Sequence, residues 1–305
     1  MAIRFDGRVA IVTGAGGGLG REHALALAKL GAKVVVNDLG GALDGTGDSA
    51  GAAERVVREI VAAGGEAMAN TASVTDEAAV TAMVDEVMKR WGRVDILINN
   101  AGILRDKSFA KMSIADFRVV LDVHLVGAAI CCKAVWEIMR QQNYGRIVNT
   151  TSSTGLYGNF GQANYGAAKM GLVGLTNVLA LEGEKYNICV NAFAPTAATR
   201  MTEGIMPEAT LALLQPGLAT PAVLFLASDA APSHAVLCAG AGSFERAYIT
   251  LTEGIYLADG ERTVDALAAA FERISDRTHE TVPANGSAQG TLEIAKAQKG
   301  ATAHA

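Results

Sequence analysis

Residues Arg8–Ala32, RVAIVTGAGGGLGREHALALAKLGA, decide how this chain folds. Val9–Val12 read as a short buried β-strand, Thr13–Gly20 as a glycine-rich turn, and the run from Arg21 as an amphipathic helix that stops at Gly31. Strand, glycine turn and helix start together make a pyrophosphate site. Glycine lets the backbone come close, and the helix N-terminus offers unpaired N–H groups at the positive end of its dipole. The glycines stand as TGxxxGxG, at Gly14, Gly18 and Gly20, rather than as the commoner GxGxxG. A glycine-rich turn on its own is weak evidence, so its meaning depends on the flanking chain.

Outward from this stretch, Lys33–Asn37 (KVVVN) form a second apolar strand and Asp38 ends it, twenty residues after Gly18. A dinucleotide fold places there the carboxylate that binds the adenosine ribose. Such a carboxylate repels a 2′-phosphate by about 1–4 kcal/mol and so favours NAD over NADP. A strand-end turn would also carry an Asp. Leu39–Gly51 is a glycine-rich loop that either folds over the adenosine or is simply mobile. Further strands read at Glu66–Asn70, Asp95–Ile98, Arg146–Thr150, Ile188–Phe193 and Ala235–Ala239, alternating with helical stretches. The expected fold is α/β, a Rossmann-like doubly wound parallel sheet of seven strands in a single domain. Residues 1–260 would form the dinucleotide-binding domain and 261–305 a C-terminal extension, a helix over Val264–Ile274 followed by a mobile tail.

The fourth strand ends in Asn99-Asn100-Ala101-Gly102, at the carboxyl edge where such sheets bind ligands. These residues suit a wall beside the adenine or ribose, and equally a plain Asn-Gly turn. A single long helix is expected over Ser113–Gln142, capped by Ser113 with Asp116 three residues on. His124 lies deep within it, either as a satisfied core residue or as a group reaching the active site. Arg200–Gly217, with Met, Leu and two prolines, reads as a flexible apolar lid or as a packing helix.

The fifth strand leads into SSTGLYGNFGQANYGAAK, Ser152–Lys169. On a helix Tyr165 and Lys169, four residues apart, project from one face. A phenol titrates near ~10 and must come down to serve as an acid–base group near neutrality, and a neighbouring ammonium favours that. Ser152, delivered by the strand end, would hold a substrate oxygen against the phenol. The trio suits moving a proton on or off an alcohol or carbonyl.

With 50% hydrophobic residues, 34 Gly and 6 Pro, the 305-residue chain has the composition of a globular protein. A net charge of −5 without a long basic run argues against nucleic acid and anionic membrane as partners. Cys131, Cys132, Cys189 and Cys238 lack metal or redox spacing and read as free thiols, with no metal site expected. No secretory leader, no ~18-residue apolar run and no peroxisomal C-terminal address is visible, and a cytoplasmic protein is the resulting expectation.

TGAGGGLG, Asp38, NNAG, and Ser152 with Tyr165 and Lys169 resemble, in order and spacing, the short-chain dehydrogenase/reductase pattern over Arg8 to about Ala258. VVVNDLGG, NNAGILRDKSFAKMS, VHLVGA, NYGRIV, GLYGNFGQANYGAAK and RMTEGIMPE are similar to the (3R)-hydroxyacyl-CoA dehydrogenase unit of the multifunctional β-oxidation enzymes, the 17β-hydroxysteroid dehydrogenase type 4 group. The chain is expected to be a stand-alone, bacterial-type relative without the hydratase and sterol-carrier segments.

The resemblance implies an NAD-dependent oxidation of (3R)-hydroxyacyl-CoA to 3-oxoacyl-CoA. Tyr165 would be the general acid/base. Lys169 would lower its pKa and bind the nicotinamide ribose, and Ser152 would orient the substrate oxygen. It assigns Gly14, Gly18, Leu19 and Gly20 to the pyrophosphate, Asp38 to the adenosine ribose, and Asn99 and Gly102 to the wall beside it. Backbone groups of Ser73 and Val74 would meet the adenine, and Pro195 and Thr199 the nicotinamide. Ala72 replaces an expected adenine-facing Asp, Thr196 a common Gly, and His124 an Asn of the broader family, which leaves the proton relay tied to that Asn open. A hydroxysteroid dehydrogenase, a 3-oxoacyl-thioester reductase and a non-catalytic dinucleotide sensor or scaffold are the alternatives. The family also implies a homodimer or homotetramer.

Overall fold

The computed structural model describes residues 2–41, 44, 46, 51–198 and 207–303. Eight strands lie in one sheet in the order β3-β2-β1-β4-β5-β6-β7-β8. They are β1 (Val9–Thr13), β2 (Lys33–Asn37), β3 (Glu66–Asn70), β4 (Ile96–Asn99), β5 (Gly145–Thr150), β6 (Ile188–Thr196), β7 (Val236–Gly240) and β8 (Ser243–Ala247). All pairs from β3 to β7 are parallel, with Val12 registered against both Val36 and Ile98. The order reverses between β1 and β4, and the crevice outside their carboxyl ends is where such a sheet takes a ligand.

Seven parallel strands match the expectation, and an eighth extends the sheet. It follows a two-residue turn, Ala241 (φ 51°) and Gly242 (φ 79°), tight enough only for an antiparallel return. Its residues Ser243–Glu245 are exposed and mostly polar, so no apolar run announced it.

The central strands read as continuous apolar runs because both faces are covered. On one face Val12, Val34 and Phe193 meet Leu27, Ile60 and Leu226 of helices α1 (Gly18–Lys29), α2 (Gly51–Ala62) and α9 (Thr220–Leu226). On the other, Ile11, Leu97 and Val190 meet Val84, Val135, Met139 and Ala180 of α3 (Glu77–Trp91), α5 (Gly127–Gln142) and α7 (Ala163–Gly183). The helix expected over Ser113–Gln142 is divided. Ser113 Oγ accepts from Asp116 N at 3.0 Å and caps α4 (Ile114–Leu121), a π-turn spans Asp122–Val126, and α5 follows. The stretch is long and apolar enough to cross a membrane by composition, but Cys131, Val135 and Met139 are buried in the core against the sheet.

Residues 199–206, with Thr199 and the first part of the expected lid, lie outside the described residues. From Pro207 onward come α8 (Glu208–Leu213), a 3-10 turn at Pro216–Leu218, and α9. Two compact units divide at Arg246/Ala247. The second unit contains α10 (Val264–Ala269) and α11 (Phe271–Ile274), which part at Ala270 where one helix was expected. Its last helix, α12 (Ser287–Ala303), occupies the stretch read as a mobile tail, and Asn285 Oδ1 accepts from Ser287 N at its start.

Candidate active site

The end of β1 is tied to the end of β4 by side-chain hydrogen bonds that shape the glycine turn. Thr13 Oγ1 accepts from the backbone N–H of Asn100 (3.0 Å) and Ala101 (3.1 Å), and Asn100 Nδ2 donates to the carbonyls of Thr13 and Gly14, both at 3.0 Å. Gly14 sits at φ 63°, where a Cβ would lie 2.8 Å from Ala101 Cα. Gly20 packs beneath the turn, and a Cβ there would collide with Gly14 O and sit 2.6 Å from Asn100 Nδ2. These two positions are glycine because backbone passes against backbone.

At the end of β2, Asp38 is held by the main chain. Gly16 N donates to Oδ2 and Gly40 N to Oδ1, each at 2.7 Å. The remaining lone pairs face a groove of about 570 Å³ whose lining runs from Gly14, Gly18, Leu19 and Asp38 through Ser73, Val74 and Gly102 to Tyr165, Lys169 and Pro195. Ala72 lines it as well, its carbonyl accepting from Asn37 Nδ2 at 2.9 Å.

Asn99 is placed differently from the expectation. It is buried and turned inward, with Nδ2 donating to Asn149 Oδ1 at 2.9 Å. Its neighbour Asn100 lines the groove and braces the glycine turn, a role the NN pair hinted at without saying which Asn filled it. Gly102 is small because His124 lies against it, its Nδ1 2.9 Å from where a Cβ would be.

β5 delivers Ser152, which caps the short helix α6 (Ser153–Tyr157) by accepting from Thr154 N at 3.1 Å. Tyr165 and Lys169 lie one turn apart in α7, and Lys169 Nζ stands 5.4 Å from the Tyr165 ring centroid. Lys169 is buried, and its Nζ donates to Thr150 O at 2.5 Å. Burial brings this amine down to about 7. Burial likewise pushes the Tyr165 phenol up, opposed by a hydrogen bond with Ser152 and reinforced by the Asp106 carboxylate. The cation was expected to lower the phenol; in the protein alone, desolvation acts on both groups and prevails.

The π-turn carries His124 inward, as such turns often do at functional sites. The ring meets Tyr165 edge-on at 5.2 Å between centroids, and Nε2 lies 2.8 Å from Ile103 O. Burial first, and the nearby Lys169 second, keep the imidazole neutral, well below its ordinary range. His124 is thus a core residue that backs the Tyr165 ring. Its Nδ1, Asn99 Oδ1 and Thr150 Oγ1 are buried without a partner in the protein. His124, Asn99, Lys169 and Thr13 enclose a space of about 10 Å³, the size of one water.

One groove thus runs from a glycine turn and a strand-end carboxylate to Tyr165 and Lys169, with Ser152 hydrogen-bonded to the phenol. The short chain dehydrogenase family matches residues 8–209, and the chain belongs to that family. It is 47% identical over 295 residues to peroxisomal multifunctional enzyme type 2 of Drosophila melanogaster, covering 95% of this chain and 49% of that protein. The full-length structure of that enzyme superposes with a TM-score of 0.81, at 38% identity, over 97% of this chain and 50% of that one. A short-chain type dehydrogenase/reductase of Mycobacterium tuberculosis is 49% identical over 88% of this chain and 94% of its own length. A 7α-hydroxysteroid dehydrogenase solved with NADH and 7-oxo glycochenodeoxycholic acid superposes with a TM-score of 0.70 at 33% identity, over 79% of this chain and 95% of that one.

The chain spans about half the length of the Drosophila enzyme. Its membership of the short chain dehydrogenase family rests on the match over residues 8–209. The residues present fit NAD: Gly14 and Gly20 leave the turn before α1 free of Cβ atoms, and Asp38, fixed by Gly16 N and Gly40 N, sets a carboxylate at the end of β2. The cytoplasmic expectation is corrected. It rested on signals not seen in the chain, whereas the multifunctional relatives, 45–53% identical, are named as peroxisomal enzymes.

Proposed function

We propose that the protein oxidises (3R)-hydroxyacyl-CoA to 3-oxoacyl-CoA. The observation that carries this reading is the likeness to the dehydrogenase unit of multifunctional enzyme type 2 along nearly the whole chain. Tyr165 takes the hydroxyl proton of the substrate, and Ser152, at the end of β5, donates a hydrogen bond to the same oxygen. Lys169 bonds the nicotinamide ribose from its place beside Thr150 and shares its proton with the phenol's surroundings. NAD, when bound, accepts the hydride released from the carbinol carbon. Gly14, Gly18, Leu19 and Gly20 hold the pyrophosphate, Asp38 the ribose hydroxyls, Ser73, Val74 and Gly102 the adenosine side, and Pro195 and Thr199 the nicotinamide. Asn99 acts behind this wall through Asn149.

The same reading includes a homodimer or homotetramer. Met170, Val178 and Leu181 of α7 and Val126 before α5 are exposed apolar side chains on neighbouring helices, a surface that suits self-association. A second reading, a hydroxysteroid dehydrogenase, is favoured by the likeness to the bile-acid enzyme.

The test follows NADH formation with (3R)- and (3S)-hydroxyacyl-CoA of matched length and with a 17β-hydroxysteroid. Turnover of the (3R) thioester, lost by about 10²–10⁴-fold in Tyr165→Phe with NAD binding retained, is expected. Turnover of the steroid alone would move the substrate to the second reading, and undiminished turnover in Tyr165→Phe would remove the phenol from the chemistry.

A further inference from the structure

The two loops that leave β4 and β5 at the substrate side of the groove are fastened to each other. Lys107 N donates to Gly161 O at 2.9 Å, Gln162 Nε2 to Asp106 Oδ2 at 2.6 Å, and Asn164 Nδ2 to Arg105 O at 3.0 Å. Gln162 Oε1 in turn accepts from Thr154 Oγ1 at 2.9 Å and Asn159 Nδ2 at 3.1 Å, so the start of α7, the loop before it and the β4 loop form one rigid rim three residues from Tyr165. Rigid rims position ligands better than mobile ones.

This rim exposes side chains that its own packing does not require. Phe160 is 90% exposed and Phe109 73% exposed. Phe109 lies between Lys107 and Lys111, both exposed, in a short 3-10 turn over Phe109–Lys111. The stretch Arg105–Asp116 holds three cations and two carboxylates in a chain whose net charge is −5. Both carboxylates are already engaged. Asp106 is bound by Gln162, and Asp116 is held at about 2 by Ser113, Arg105 and Lys107. Lys111 pairs with no carboxylate among the described residues. Exposed aromatic faces beside the unpaired ammonium of Lys111 and the exposed Lys107 suit a purine ring that carries phosphates: the ring stacks, and the phosphates meet the lysines.

We propose that this rim, Lys107, Phe109, Lys111 and Phe160, is the docking surface for the nucleotide end of the coenzyme A thioester. The inference rests on the thioester reading above and adds where the carrier binds. A thioester places its reacting carbon against Tyr165 and its anionic end far from it, at the mouth. The opposite end of the groove, at the glycine turn and Asp38, is assigned above to NAD, so the rim beyond β4 and β5 is the side left for the carrier.

The test compares a (3R)-hydroxyacyl-CoA with the N-acetylcysteamine thioester of the same acid, which keeps the reacting carbon and lacks the nucleotide. In Lys111→Glu and in Phe160→Ala, the KM for the CoA thioester is expected to rise roughly 3- to 10-fold relative to that for the short thioester, with kcat for either changing little. Lys111→Arg restores the wild-type ratio, which a merely structural defect would not allow. A KM ratio unchanged in both variants overturns the docking surface while leaving the thioester reading intact. Wild-type turnover of neither thioester overturns both together.

Discussion

At the nucleotide end of the groove, Asp38 has both carboxylate oxygens engaged by backbone N–H groups, and Asn100 Nδ2 bridges two carbonyls of the glycine turn. At the catalytic end, Lys169 keeps a fully enclosed amine, and the buried atoms Asn99 Oδ1, His124 Nδ1 and Thr150 Oγ1 have no partner in the protein. One end is finished by folding, and the other is completed by what binds there. The difference teaches where stability and reactivity reside. Satisfied polar groups rigidify the recognition of a constant ligand, while desolvated titratable groups carry a stability cost that catalysis needs.

The sharpest way to break the comparison is at the finished end. Gly20→Ala drives a Cβ into Gly14 O and toward Ala15 Cα at 2.9 Å, backbone atoms that cannot yield, and within 2.6 Å of Asn100 Nδ2, itself fixed by the carbonyls of Thr13 and Gly14. Overpacking of this kind costs roughly 3 kcal/mol or more. The expected outcome is a fall in Tm of roughly 6–10 °C together with a loss of NAD affinity of at least about tenfold, by thermal unfolding and by NADH fluorescence titration. A variant that melts and binds like the wild type would show that the turn is not held as tightly as Asn100 and Thr13 suggest.

The same contrast governs what could be read from sequence. The strands were legible because sheet burial on both faces makes apolar runs, as at Val9–Val12 and Lys33–Asn37. Gly14, Asp38, Tyr165 and Lys169 were legible because spacing along a turn or a helix dictates which groups share an edge. The inward turn of Asn99 was not, since adjacent residues on a strand face opposite sides and one residue of register decides which reaches the groove. Nor was the π-turn that sets His124 against Tyr165, because a one-residue widening leaves the apolar helical pattern of VVLDVHLVGA intact. The exposed β8 and the helix α12 escaped for want of an apolar signature.

At the unfinished end the comparison predicts a stabilising mutation. Burial takes the Lys169 amine from its ordinary value near 10.5 down to about 7. Below pH ~7 the lysine is charged in both folded and unfolded states, and the folded state bears the full desolvation penalty. Between ~7 and ~10.5 only the unfolded state holds the proton, so stability rises with pH and is fully restored above the unfolded value. Lys169→Met, which removes the titration, is expected to be more stable than the wild type by roughly 3–5 kcal/mol at pH 6.5, with a gap that narrows as pH rises toward 10, and to be catalytically dead. Urea unfolding at pH 6.5, 8 and 9.5 measures the gap. A gap that stays flat across that range would mean the amine is not penalised by burial, and the two ends of the groove would no longer differ in kind.

The smallest effect sharpens the nucleotide end further. Asp38→Asn keeps the size of the side chain and one carbonyl oxygen to accept from Gly16 or Gly40, but removes the charge. If Asp38 discriminates by repulsion, the ratio of kcat/KM for NADP to that for NAD rises by about tenfold, the order expected for one partly screened charge–charge contact at the groove surface. NAD itself binds only modestly worse, because the ribose hydroxyls still find an acceptor. If Asp38 matters instead as a brace for the turn, both cofactors weaken together and the ratio stays where it was. Tm falls modestly in either case, because the new NH2 faces one of the two backbone N–H groups that the carboxylate accepted from, so the cofactor ratio and not melting separates the cases.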